Sequence, residues 1–252
     1  MTIRWRLLSA SALPEGDDWL GPDEQKVLAG LQFPKRRAEW RLGRFVAKPA
    51  VSWIAGIDDF NRIQIIGAED GAPEAWIDGR RVSSEISISH REGLAACVIA
   101  QGTRVGCDLE AVEPRSSRFV KDFFTEQERR AVDTTAGAHR DRHVALTWSA
   151  KESALKVLRV GLRRDTRSVE VEIDDVEAVQ TGWHTLRATI SPEGQTFQGW
   201  WRQEGETVLT IVGDQETRSS PTPISGEPGP SLPQRSWPTP LGTKSRETCS
   251  PT

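Results

Sequence analysis

Apolar and polar positions alternate in short runs along most of this chain, interrupted by a few stretches with helical spacing. The clearest alternation is R-V-G-C-D-L-E at Arg104–Glu110, where Val105, Cys107 and Leu109 interleave with Gly106, Asp108 and Glu110. That is the period-two pattern of a strand. Similar runs predict strands at Arg62–Ile66, Glu85–Ser89, Leu94–Ala100, Ser168–Ile173, His184–Ile190, Phe197–Gln203 and Thr207–Val212, and a first strand near the N-terminus. Helical spacing covers Pro34 to about Ile54, Thr125–Val132 and His143–Leu158. The predicted fold is α+β, two similar α/β halves with antiparallel sheets, spanning 1–102 and 103–215. No repeat is visible residue by residue. From Glu216 onward Pro, Ser, Thr and Gly dominate. Such a segment has little to bury, so 216–252 is expected to be a disordered Pro-rich tail.

Composition narrows the classes. The 252 residues carry a formal net charge of −3, which gives no general attraction to nucleic acid or membrane. No run of eighteen apolar residues exists to span a bilayer. The cysteines, Cys97, Cys107 and Cys249, are odd in number and lack metal-ligand spacing, which fits a reducing cytoplasm.

Four segments carry candidate chemistry. On the Arg104–Glu110 strand Asp108 and Glu110 share a face, roughly 6.6 Å apart along the strand, near enough to serve one cation; a solvated acidic edge is the plainer reading. On the His143–Leu158 helix Trp148, Glu152 and Lys156 fall at i, i+4 and i+8 and share a face. A Glu–Lys pair at that spacing is usually a surface salt bridge, but the tryptophan a turn earlier points to a covered face. E-I-S-I-S-H at Glu85–His90 ends a strand on a hydroxyl and an imidazole. Arg37, Arg41, Arg44 and Lys48 form a basic stripe on the first long helix; these like charges need an anion or an acidic partner beside them. Oxygen ligands and clustered cations together point to Mg²⁺ and phosphoryl or phosphodiester transfer.

The trio S-I-S-H (Ser87–His90), G-C-D-L-E (Gly106–Glu110) and W-S-A-K-E-S-A-L-K (Trp148–Lys156) resembles, in order and spacing, the signature of 4′-phosphopantetheinyl transferases. F-F-T-E-Q-E at Phe123–Glu128 and G-A-P at Gly71–Pro73 are similar to further family segments. The length resembles the longer, pseudo-twofold monomeric type. The resemblance implies that Asp108, Glu110 and Glu152 hold Mg²⁺ against the diphosphate of coenzyme A, and that Lys156 lies on the phosphates. Ser89 and His90 would meet the nucleotide end, Gly71 and Pro73 the adenine, and Lys35, Arg37 and Arg44 the 3′-phosphate. The implied reaction moves phosphopantetheine onto a carrier-protein serine and releases 3′,5′-ADP, with Glu152 or a water it orients as base. Two departures stand out: Pro49 lies inside the first long helix, and Ala72 replaces a residue that is often basic in the family. An acidic carrier would dock on Pro114–Phe124, through Arg115, Arg118 and Lys121 beside Phe119 and Val120. The competing readings are an inactive carrier- or coenzyme-A-binding relative and a Mg²⁺-dependent nucleotide phosphohydrolase.

Overall fold

The computed structural model describes residues 2–178, 182–215 and 219–224. The first half runs β1 (Ile3–Ser9), α1 (Pro22–Gly30), α2 (Pro34–Ala55), β2 (Ile63–Gly67), β3 (Pro73–Ile77), β4 (Arg80–Arg81), β5 (Glu85–Arg91) and β6 (Leu94–Ala100). The second runs β7 (Val105–Ala111), α3 (Ser117–Phe123), α4 (Glu126–Asp133), α5 (Gly137–Val157), β8 (Val169–Ile173), β9 (His184–Ile190), β10 (Gln195–Glu204) and β11 (Thr207–Gly213). A short strand β12 (Thr222–Pro223) follows.

Strand order is β12-β1-β6-β5 in one sheet, β7-β11-β10-β9-β8 in another, and β2-β3-β4 in a small third. Apart from β12, which runs parallel to β1, the pairings are antiparallel. The fold is therefore the mixed α+β type that the alternation predicts. The apolar run of β6 is buried almost throughout, as a central strand requires. Glu92 and Gly93 join β5 to β6 with φ of 48° and 77°, the left-handed pair that a tight two-residue hairpin uses.

The two halves repeat one plan at their centres. Each places a long helix on its sheet, and each buries one lysine against one glutamate. In the first, Glu24 at the start of α1 accepts from the Gly21 and Ile65 amides and pairs with Lys48 of α2 at 2.6 Å. Lys48 Nζ also donates to the carbonyls of Trp19, Phe60 and Ile63. In the second, Glu128 at the start of α4 accepts from the Thr125 and Val171 amides and pairs with Lys151 of α5 at 2.8 Å. Lys151 Nζ donates to the carbonyls of Thr166 and Val169. All four side chains are fully or almost fully buried. Duplication is thus visible in contacts where no repeat is visible in residues.

β5 and β7 lie side by side where the halves meet, and side chains join them. Ser87 Oγ accepts from the Cys107 amide at 3.0 Å, and Ser89 Oγ accepts from the Leu109 amide at 3.2 Å. The i, i+2 serines of S-I-S thus stitch one sheet to the other.

The helix expected from Pro34 to about Ile54 is α2, which runs on through Pro49 to Ala55 with its buried residues between Leu42 and Ser52. One expectation changes. The boundary at 216 is crossed: Thr222 and Pro223 pair with β1, and Ile224 is buried in the first half's core. One apolar residue beside an open strand edge is enough to recruit this piece. The rest of the predicted tail lies outside the described residues.

Replacing Lys151 with Met leaves Glu128 buried and unpaired, a change that costs about 3–5 kcal/mol. Urea unfolding of K151M should show a loss of this size, and the double substitution E128M/K151M should recover only part of it, because the Thr166 and Val169 carbonyls and the Thr125 and Val171 amides stay unpaired.

Candidate active site

Helix α5 crosses the face of β7 that carries Gly106, Asp108 and Glu110. A Cβ at Gly106 would lie 2.0 Å from the Ser153 carbonyl oxygen, so only glycine allows the helix to come this close. Ser149 and Ser153 bind the Thr210 hydroxyl on β11, each at 2.8 Å, and pin the helix in register. The space over Gly106 is therefore filled by α5 itself.

This approach brings together the face predicted for α5. Lys156 Nζ donates to Asp108 Oδ1 and to the Cys107 carbonyl, both at 2.8 Å. Ser89 Oγ donates to the same Asp108 oxygen at 2.8 Å. Asp108 Oδ2 is buried with no hydrogen-bond partner. Glu152 sits beside Asp108, and its carboxyl is pushed up to about 7, by burial first and then by Asp108, with Lys156 opposing and Glu110 adding. Burial alone would lower the Lys156 ammonium, but Asp108, Cys107 and Glu152 outweigh it and hold it above the ordinary lysine value.

Glu110 faces a different environment. It pairs with Arg115 at 3.2 Å and with Arg91 at 3.6 Å, and accepts a hydrogen bond from Trp148. Burial and Asp108 raise its carboxyl against the pull of those partners. Arg91 and Arg115 also share Glu113. Sequence reading missed Arg91 as part of this group because it comes from the end of a distant strand.

The first helix's cations have internal partners. Arg37 donates to the carbonyls of Leu28 and Leu31, and Arg41 to those of Pro14, Glu15 and Gly16. Arg44 stacks 4.3 Å over Trp40, and burial lowers it to about 10. The like charges of the stripe are thus met by carbonyls, a ring and Glu24, and need no external anion. Lys35 is exposed, 3.9 Å from Glu39. His90, at the exposed end of β5, lies in the field of Glu39, Lys156 and Arg36; Arg36 falls outside the stripe and was not singled out by spacing.

A cleft of about 210 Å³ opens between the halves beside Lys156. Gly71, Ala72 and Pro73 line it from one side, and Lys156, Arg159 and Arg163 from the other. Gly71 has φ of 87°, and the turn is held by the Ala72 amide donating to Asp70. On α3, Arg118 and Lys121 are exposed, whereas Val120 is buried and Phe119 packs on Phe123 and Trp148. Cys97 and Cys107 are buried and free, and burial pushes the Cys107 thiol up to about 11, so neither supplies a thiolate near neutral pH.

Residues 104–212 match the sequence model of the 4′-phosphopantetheinyl transferase superfamily, ACPS. Over 163 residues, 63% of this chain and 67% of the relative, the chain is 23% identical to the 4′-phosphopantetheinyl transferase HetI of Nostoc sp.. A holo-(acyl-carrier-protein) synthase from Bacillus anthracis, solved in complex with CoA (3′,5′-ADP), is 23% identical with a TM-score of 0.34, over 39% of this chain and 92% of its own. The superfamily match thus falls on the second half, the part of the chain that carries Asp108, Glu110, Glu152 and Lys156.

Glu152 ties stability to pH. With its carboxyl raised from 4.5 to about 7, the folded state keeps a proton that the unfolded state releases, so stability falls as pH rises through that window. The penalty persists above it. E152Q should therefore melt higher than the parent at pH 8, by roughly 2–4 °C for each 1 kcal/mol recovered. The difference should vanish near pH 4.5, as thermal scans at both pH values would show.

Proposed function

We propose that the protein transfers the 4′-phosphopantetheine arm of coenzyme A to a serine hydroxyl of an apo carrier protein, with Mg²⁺ as cofactor and 3′,5′-ADP as leaving group. The observation that carries this reading is Asp108. One of its oxygens is held by Lys156 and Ser89, and the other is buried without a donor.

Among the described residues no three His, Cys, Asp or Glu side chains form a group that could itself hold a metal ion. Mg²⁺ does not require one, since it commonly takes one or two protein carboxylates together with water and substrate phosphates. The residues present fit that habit: Asp108 Oδ2 lacks a partner, and Glu152 is raised partly by Asp108's negative charge, a repulsion that a cation would relieve. Asp108 and Glu152 would hold the ion, with Glu110 behind them through water. Bound there, Mg²⁺ would neutralise charge on the diphosphate.

The chain's own residues account for the rest. Lys156 keeps its proton and balances charge on the phosphates as the bond to 3′,5′-ADP breaks. Glu152, beside Asp108, is placed to take the serine proton, directly or through a water, as the hydroxyl oxygen attacks phosphorus. Gly71 and Pro73 would flank the adenine; His90, within the field of Arg36, would receive the nucleotide's outer phosphate together with Lys35. Ser89 acts through Asp108, since its hydroxyl is already engaged. Arg37 and Arg44 are drawn toward their internal partners and away from this role. The protein would act as a monomer in the cytoplasm, on an acidic carrier docked along α3.

Incubation with Mg²⁺, coenzyme A and an apo carrier should add the phosphopantetheine mass to the carrier. Cleaved coenzyme A with unchanged carrier would favour a hydrolase instead, and unchanged reactants across a panel of carriers an inactive binder. K156A should lower kcat by about 10²–10³, the scale of removing one group that stabilises developing charge. In the same assay R118E/K121E should raise the carrier KM about tenfold and leave the coenzyme A KM within twofold, as expected when surface charges steer a partner.

A further inference from the structure

Arg159 stands out for its backbone. Its φ is 57°, the left-handed region that costs a residue other than glycine roughly 1–2 kcal/mol. It lies just past Leu158, the residue that caps α5, and its amide donates to the Lys156 carbonyl at 3.0 Å. Glycine would end the helix here without that cost, so the arginine side chain needs another reason.

The side chain supplies one. The guanidinium reaches across to the first half and pairs with Asp70 at 3.1 Å and Glu74 at 3.3 Å. These two carboxylates bracket Gly71–Pro73, and the Arg159 carbonyl also accepts from Arg163, another cleft residue, at 3.1 Å. Glu74 has a second partner in Arg81 at 3.1 Å, whereas Asp70 is paired with Arg159. A ligand bearing phosphates would meet Asp70 and Glu74 as repelling charges if Arg159 did not cancel them.

We propose that Arg159 is a positioning residue for the cleft: by pairing with Asp70 and Glu74 across the halves, it removes two negative charges from the path of a phosphate-bearing nucleotide. This inference rests on the reading that coenzyme A occupies the cleft. It is specific to this chain's own residues, and it adds a cation from the second half beside a turn whose central residue, Ala72, has none.

The test is calorimetric titration of the full chain with coenzyme A and Mg²⁺, alongside thermal melts. R159G relieves the backbone strain, so its melting temperature should equal or exceed the parent's, while its Kd for coenzyme A should rise about tenfold. R159K should return to within about threefold of the parent, because it restores the charge. The triple substitution R159G/D70N/E74Q should also recover affinity, since nothing is left to cancel. Unchanged affinity in R159G, or a triple variant as weak as R159G, would overturn the role assigned to Arg159. If the parent chain itself binds no coenzyme A, the proposed function fails and this inference with it, an outcome that the parent titration alone identifies.

Discussion

The whole site depends on one contact, the packing of the Ser153 carbonyl against Gly106. Any side chain at Gly106 would place an atom 2.0 Å from that oxygen, a distance that only a shift of helix or strand could relieve. Because the backbones meet there, Lys156 and Glu152 reach Asp108 from α5, and Trp148 reaches Glu110. The chemistry follows from this closeness. Like charges forced together beside a lysine, partly out of water, raise one carboxyl to about 7 and keep the ammonium protonated.

A close approach of this kind needs a rigid frame on both sides. The buried Lys151–Glu128 pair fixes α5 to α4 and β8, as Lys48–Glu24 fixes α2 to α1 and β2. Each lysine also caps carbonyls that would otherwise be buried without donors. Between the frames, Ser87 and Ser89 hold β5 against β7. Ser89 spends its hydroxyl twice, accepting from Leu109 and donating to Asp108. The seam between halves and the acidic centre are thus one hydrogen-bonded system.

Much of this was legible in the sequence. Leu94–Ala100 and His184–Ile190 are strands with the predicted limits, because long alternating or apolar runs bounded by turns admit few other readings. The shared face of Trp148, Glu152 and Lys156 was legible for the same reason: helical spacing fixes direction. Spacing could not say what lies opposite a charge. Arg37, Arg41 and Arg44 look like a stripe awaiting an anion, yet carbonyls from distant loops meet Arg37 and Arg41, and Trp40 meets Arg44. Lys48 and Lys151 look like surface residues and are among the most buried in the chain. α1 went unpredicted because its apolar pattern is weak, and it is held by Glu24 rather than by a hydrophobic stripe. α5 begins at Gly137, six residues before the apolar pattern starts, since its first turns lie largely exposed.

The central claim of the proposed function is that Asp108 and Glu152 would form the cation's seat beside Lys156, a residue that lines the interhalf cleft. Crystals soaked with coenzyme A and Mn²⁺ in place of Mg²⁺ would test it through the anomalous scattering of manganese. The account predicts one strong peak shared by Asp108 Oδ2 and Glu152, on the Lys156 side of the cleft. A map with no peak there, or with the ion bound away from both carboxylates, would contradict it.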